Sequence, residues 1–143
     1  MPNKLTRGKA IVGSLAVAGN VAAADYTGIA ASFTVGTEAS DAINVAVQLK
    51  DGGGVDLARR CGLAWFLSSD ANGDAISAAP SGGIAIGTDG LLLEWTNNVS
   101  GWVVSEADGD IDVTLTDAGT PTFYLVLVLP NGRLSVSGAI TFA

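Results

Sequence analysis

Two short acidic stretches carry the residue types that could do chemistry in this chain. Residues 70–74 (DANGD) and 108–112 (DGDID) each place oxygen ligands two residues apart, which is the spacing that calcium-binding loops use. Neither stretch is followed by the bidentate Glu of an EF-hand loop, and Asp, Asn and Gly are also the residues that tight turns require. Plain turns are therefore the favoured interpretation, and calcium binding stays an open alternative at both stretches.

The carboxylates of Asp110 and Asp112 also raise the question of glycoside hydrolysis. Alternation along a strand places both on one face, close enough together to form the carboxyl pair that such enzymes need. A sugar platform would have to come from Trp95 and Trp102, which flank the NNVSG turn. Packing of these indoles in a core or an interface is the simpler interpretation. We therefore expect no enzyme here, and a glycan platform at the two tryptophans remains the alternative.

The residues that the chain lacks restrict its chemistry further. It has no histidine and only one cysteine, Cys61, so Ser-His-Asp and Cys-His catalytic sets, Cys/His zinc sites and intrachain disulfides are excluded. Cys61 begins the apolar run CGLAWFLS, where a small buried side chain is the expected role. The glycines at 52–54 are not a phosphate loop, because no Lys-Ser/Thr follows them. We expect no catalytic residue, no cofactor and no metal ligand.

Two adjacent arginines, Arg59 and Arg60, precede Cys61. Neighbouring residues at the start of a strand point to opposite faces, so one guanidinium can pair with a local acid such as Asp56 while the other points outward. Pairing within the fold is the default prediction. Because Arg is enriched at protein interfaces, a contact with another subunit is the alternative.

The charge is distributed unevenly along the 143 residues. Lys4, Arg7 and Lys9 precede every acidic residue, whereas residues 10–143 hold four basic and all fourteen acidic residues, a net charge of −10. Because residues 10–143 are this acidic, they would repel a phosphate backbone, and we expect no nucleic acid partner. No apolar run reaches the ~18 residues of a membrane-spanning helix, so we expect no membrane partner.

Hydrophobic alternation predicts an all-β protein from residue 38 to residue 143. Ile43, Val45, Val47 and Leu49 alternate with polar or small residues, which indicates a half-buried strand. TFYLVLVL is apolar on both faces and should be a central strand, joined to RLSVSGAITF by a hairpin at Pro130-Asn131-Gly132. About eight strands separated by short turns are typical of an antiparallel β-sandwich.

Residues 1–37 differ from the rest in composition. Ala, Gly and Val dominate, and the basic start, apolar middle and Ala-rich end have the outline of a secretory signal peptide. The pairs at 13–14 (GS) and 19–20 (GN) interrupt the apolar stretch and weaken the helix that a signal peptide forms. We therefore expect a retained N-terminal arm that docks on a neighbouring subunit or a larger assembly, with a secreted domain as the alternative. Its expected contact residues are a basic tip and apolar anchors: Lys4, Arg7, Lys9, Ile11, Val12, Leu15 and Val17.

The sequence resembles a family of phage and bacterial modules. INVAVQLKDGGGVDLARRCGLAWFLS looks like the second and third strands of immunoglobulin-like domains in these organisms, and AGTPTFYLVLVLPNGRLSVSGAITF is similar to their last hairpin. A short arm ahead of one acidic sandwich also resembles small structural proteins of tailed-bacteriophage virions, as do PSGGIAIGTDGLLLEWT and VSEADGDIDVTLT. The Cys…Trp…Cys signature of antibody domains is missing, so the resemblance is to the immunoglobulin-like architecture alone.

The resemblance implies a capsid decoration, or cement, protein that binds the outside of the phage head and stabilises capsomer junctions. Its partner would be the major capsid protein or another virion protein, and the decoration protein would itself form a homo-oligomer, with a trimer favoured. It would be assembled in the host cytoplasm and would reside in the virion. A tail-associated or adhesin-like carbohydrate-binding module is the alternative, with Arg59, Arg60, Trp95 and Trp102 as the candidate interface or glycan platform.

Overall fold

A computed structural model of the chain describes residues 28–143, and these residues form strands, turns and bends without an α-helix. The strands that the described part contains are β1 (Ala30–Val35), β2 (Ala42–Lys50), β3 (Gly62–Ser68), β4 (Gly83–Ile86), β5 (Leu91–Thr96), β6 (Ser100–Val104), β7 (Asp110–Thr116), β8 (Thr122–Val128), β9 (Leu134–Val136) and β10 (Ile140–Thr141). Over this range no helix is long and apolar enough to cross a membrane.

The strands form two antiparallel sheets. Sheet 1 has the order β1-β2-β7-β4, and sheet 2 has the order β10-β8-β3-β6-β5, with β9 also paired to β8. If β5 and β6 are set aside, these are the two sheets of the seven-stranded immunoglobulin arrangement, with A-B-E-D in one and C-F-G in the other. The prediction of an antiparallel β-sandwich is confirmed. The β5–β6 ribbon extends sheet 2 beyond β3, and β5 is the last strand of this sheet within residues 28–143.

The core lies between the sheets because each strand alternates as the sequence predicts. In β2 the predicted inward set, from Ile43 to Leu49, is at most 2% exposed, and β3 and β7 contribute Trp65 and Leu115 in the same way. Ile29 and Leu57 close one end of the core. The side chains that fill it are those of Ile29, Ile43, Val45, Val47, Leu49, Leu57, Leu63, Trp65, Leu67, Ile84, Val103, Ile111, Val113, Leu115, Phe123, Leu125, Leu127, Leu129, Ile140 and Phe142.

Strand β8 is covered on both faces, as its doubly apolar sequence predicts. Val126 points away from the inter-sheet core and is nevertheless fully buried. It lies beneath the 69–77 loop, since a methyl group added to Gly73 would lie 3.2 Å from Val126 and 3.1 Å from Val136 of β9. This loop covers the β8–β9 half of the outer face of sheet 2 and leaves the β5–β6 half open.

The predicted hairpin after β8 is also present. The Leu129 carbonyl accepts a hydrogen bond from the Gly132 amide at 2.8 Å, and the Leu129 amide donates to Arg133 at 2.9 Å. Only the glycine of the Asn-Gly pair has a positive φ, 81°. The loop has three residues, 130–132, and its last residue is glycine. This is a common hairpin connection, in which a turn is followed by a bulge.

The strand count and the start of the sandwich differ from the sequence prediction. The predicted eighth strand is divided into β9 and β10 around Ser137, whose hydroxyl accepts from the Leu125 amide at 2.9 Å in place of a regular ladder bond. Residues 30–35, assigned to the arm by composition, form β1 and pair with β2 over six residues, from Ala30–Lys50 to Val35–Val45. They therefore belong to sheet 1. Small residues suffice there because β1 is an edge strand with one half-buried face.

Candidate contact surface

The β5–β6 ribbon carries an exposed apolar patch on the outer face of sheet 2. Leu91, Leu93 and Trp95 alternate outward along β5, and register places Leu93 directly opposite Trp102 of β6. The exposed fractions are 50% for Leu91, 47% for Leu93, 63% for Trp95 and 42% for Trp102. Single exposed hydrophobic residues are common on proteins, whereas a contiguous group indicates a contact surface. These four residues are called the aromatic patch below.

The two indoles of the patch contact each other. Their ring centroids lie 5.9 Å apart with an interplanar angle of 77°, an edge-to-face arrangement. Trp95 reaches this position because the β5–β6 register shifts between Glu94 and Thr96, which leaves Trp95 as the extra residue of a bulge. The bulge turns the side chain of Trp95 toward Trp102, and most of the Trp95 ring stays accessible.

Backbone contacts hold the ribbon against the rest of the sandwich. A Cβ added to Gly101 of β6 would lie 1.8 Å from the Leu93 carbonyl oxygen, so only glycine permits this approach. At the turn, the Asn98 amide donates to the Glu94 carboxylate, and the Asn98 Oδ1 atom accepts from the Ile84 amide of β4 at 2.9 Å. The patch is therefore displayed on a fixed strand pair.

A groove continues the patch toward β8. It has a volume of about 740 Å³, and Trp102, Ala64 and Val128 line it in register, since Ala64 pairs with Trp102 on one side and with Val128 on the other. Ile29 and Cys61 also line it. The groove and the patch share Trp102 and form one predominantly apolar face.

Cys61 is half-buried at the rim of the groove and packs against the core, as expected for a small hydrophobic side chain. Its backbone is paired with Ser105, whose hydroxyl accepts from the Cys61 amide at 3.0 Å. Burial raises the pKa of the Cys61 thiol, with a smaller opposing effect from the positive charge of Arg59. The thiol is therefore mostly protonated at neutral pH.

The predicted arginine pair is placed beside the same groove. The Arg60 Nη1 and Nη2 atoms donate to the two Glu106 carboxylate oxygens at 3.0 and 3.2 Å, and Nη1 also donates to the Ser105 carbonyl. Arg60 therefore pairs within the fold. Asp56, the local acid named from the sequence, pairs with Lys50 across an isolated bridge in the β2–β3 connection. Arg59 lines the groove together with Arg60.

The opposite face of the sandwich is polar and acidic. Asp110 and Asp112 point outward from β7, as predicted, and share that face with Asn44 and Gln48 of β2. The Asn44 side chain donates to the Asp112 carboxylate, which lowers its pKa, and Thr88 adds to this effect. Desolvation, followed by repulsion from neighbouring carboxylates, raises the pKa of Asp110.

The polar groups of the two acidic stretches make hydrogen bonds within the fold. The Asp112 carboxylate accepts from the Thr88 amide at 3.3 Å and from its hydroxyl at 3.2 Å, so it ties β7 to the turn after β4. In the 70–74 turn, Asp70 Oδ1 accepts from the Asn72 amide at 2.7 Å. In the 108–112 stretch, Gly109 has a φ of 86° and donates to the Glu106 carbonyl. No group of three or more metal-binding side chains occurs within residues 28–143.

The aromatic patch unites two predicted residues, Trp95 and Trp102, with two that the sequence did not single out, Leu91 and Leu93. A signal for the latter existed in LLLEWT, whose alternate residues Leu91, Leu93 and Trp95 place three large apolar side chains on one face. The predicted arm residues Lys4, Arg7, Lys9, Ile11, Val12, Leu15 and Val17 lie outside the described residues.

Comparison with known proteins adds no identification. No protein-family model matches the chain, and no curated protein matches its sequence.

Proposed function

We propose that this chain is a non-enzymatic structural protein that attaches to a protein assembly through the outer face of sheet 2. The observation that carries the proposal is the aromatic patch, with Trp95 63% exposed on a strand pair fixed by Gly101. The polar, acidic face of sheet 1 would remain in solvent and keep the attached protein soluble. The resemblance to phage structural proteins makes capsid decoration the most concrete form of this role.

The size of the patch favours attachment in many copies. Since an indole offers roughly 200 Å², the exposed fractions of 63% and 42% leave about 200 Å² on the two tryptophans. At ~25 cal/mol per Å² this area contributes about 5 kcal/mol, which is no more than the lower part of the association cost of roughly 4–15 kcal/mol. One patch alone would hold weakly. A homo-oligomer such as a trimer, repeated over a symmetric shell, would convert weak contacts into durable attachment.

The N-terminal arm would add to this contact in the assembled state. Ile11, Leu15 and Val17 supply apolar side chains, and Lys4 and Arg7 supply positive charge for an acidic neighbour. The proposed partner is the major capsid protein or another virion protein, and the proposed location is the virion.

Virus particles from the source of this sequence provide the test. They should contain the chain in many copies, and particles stripped of it should bind the purified protein again. Leu93→Asp, which places a charge in the patch, should reduce rebinding at least tenfold, and deletion of residues 1–24 should abolish it. Val55→Asp is the matched control, because Val55 is 64% exposed and lies outside the patch. Particles that lack the chain, or that bind the Leu93→Asp variant normally, would refute the proposal.

A carbohydrate-binding function is the second candidate, and the exposed indole pair is the observation that favours it. Sugar rings stack on exposed aromatic faces, and Trp95 presents most of its ring to solvent. A glycan array probed with the purified chain separates the two candidates. Binding that is lost in both Trp95→Ala and Trp102→Ala would support a glycan platform, whereas unchanged binding in these variants or an array without binding would count against it.

A further inference from the structure

The groove beside the aromatic patch lies where the N-terminal segment joins the sandwich. Ile29 is 5% exposed, packs in the core and lines the groove together with Cys61, Ala64 and Trp102. The described structure therefore begins, at residues 28 and 29, beside an apolar groove.

The chemistry of the segment matches the chemistry of this face. Residues 10–24 (AIVGSLAVAGNVAAA) contain no charged side chain. The groove and the patch are lined mainly by apolar side chains, with Arg59 and Arg60 at the rim. Exposure of the apolar segment and of the apolar face to water is unfavourable, and contact between them would remove both from water.

The segment is long enough to cover the face of its own sandwich. A strand advances about 3.3 Å per residue, so residues 17–28 can span up to about 40 Å. The distance from β8 across β3 and β6 to β5 is three strand spacings, or about 14 Å. Because the segment is tethered, its effective concentration at the groove is in the millimolar range, well above that of a second copy in dilute solution.

We propose that residues 10–27 pack on the groove and the aromatic patch of their own sandwich while the chain is unattached. Attachment would exchange this internal contact for the contact with the assembly, so the apolar face and the apolar segment are not exposed together beforehand. The inference rests on the proposed function only for this exchange. The internal contact itself concerns the isolated protein.

Cys61 allows the contact to be measured in the full-length chain. As the only cysteine, and half-buried at the groove, it can form a disulfide with a cysteine introduced into the segment. Val17→Cys and Val21→Cys should each form an intrachain disulfide with Cys61 under mild oxidation at pH 9, detected as a monomer without free thiols. Ala46→Cys is the control, because Ala46 is exposed on the outer face of sheet 1 and should not react with Cys61.

Random collisions could also bring the introduced cysteine to Cys61, so a second substitution distinguishes collision from packing. Leu93→Asp should lower the rate of intrachain cross-linking at least fivefold, whereas Val55→Asp should leave it unchanged. Trp95→Ser provides a second patch variant with a more exposed side chain, in case Leu93→Asp does not fold. A rate that the patch variants do not change, cross-linked dimers only, or no cross-link at all would each overturn the inference.

The outcomes also separate the inference from the proposed function. Particles that rebind the chain while cross-linking is insensitive to the patch would leave the function standing and remove the internal contact. Patch-dependent cross-linking without particle binding would give the opposite result.

Discussion

Replacing Gly101 by alanine should weaken the sandwich through a single backbone contact. The new Cβ atom would lie 1.8 Å from the Leu93 carbonyl oxygen and 2.8 Å from the Glu94 Cα atom. Both neighbours are backbone atoms, so no side-chain rotation relieves the overlap. Strand β5 must withdraw from β6 by more than 1 Å, which disrupts the pairing that runs from Leu91–Val104 to Thr96–Ser100.

The magnitude follows from the balance of two effects. Forcing an extra carbon into a packed site typically costs about 1–3 kcal/mol. Alanine also restricts the unfolded chain, which returns about 0.4–1 kcal/mol. We therefore expect Gly101→Ala to lower the free energy of unfolding by about 1–2 kcal/mol. With a urea dependence of about 2 kcal/mol per M, the unfolding midpoint should fall by about 0.5–1 M.

Gly62→Ala is the matched control. Gly62 lies in the same sheet, and its added Cβ would meet only the Val104 Cγ2 atom at 3.8 Å, an ordinary contact. This variant should be neutral or up to about 1 kcal/mol more stable than the parent. Urea unfolding followed by tryptophan fluorescence gives the free energies, and hydrogen exchange of the β5 amides locates the damage. Equal midpoints for the two variants, with equal protection of β5, would refute the reasoning.

Five further substitutions test the fold and its charges. Trp65→Ala should lower the free energy of unfolding by about 3–5 kcal/mol because the indole is 1% exposed. Trp95→Ala should lower it by at most about 2 kcal/mol because Trp95 is 63% exposed. Equal losses in urea unfolding would contradict the assignment of Trp95 to the surface. The pKa of Asp110 is raised in the folded state, so its ionisation destabilises the native state as pH rises above about 4. Asp110→Asn should therefore increase stability at pH 7 and have little effect at pH 3. Asp112 has a lowered pKa and stabilises the fold above about pH 4, a contribution that is lost as pH falls further, so Asp112→Asn should decrease stability at pH 7. Both changes in stability should stay below about 1 kcal/mol because both side chains are partly exposed. Thermal melts across pH 3–7 measure them. A shift of the melting temperature in the same direction for both variants would contradict the opposite pKa shifts of Asp110 and Asp112. Arg60→Ala should cost no more than about 1 kcal/mol, less at high salt, because the ion pair with Glu106 is solvent-exposed; a larger loss in melts at low salt would show that this pair is buried in solution.

The sequence by itself determined the secondary structure and the inner face of most strands. Alternation in β2 and β7 predicted the buried sets that include Val45 and Val113, because a strand with one face in the core exposes its side chains with a period of two. The doubly apolar β8 and the Pro130-Asn131-Gly132 connection were likewise predicted from local pattern.

Tertiary structure alone decided which strands became edges and which apolar side chains stayed uncovered. Strands β8 and β5 both carry large apolar side chains on their outer face, yet the 69–77 loop covers Val126, whereas Leu93 remains 47% exposed. The difference depends on sheet order and loop position, which bring residues distant in sequence together. Local patterns record how a strand alternates and contain no information about its neighbours. The partners of Arg60 and Lys50, and the meeting of Ile29 with Trp102 at one groove, were decided in the same way.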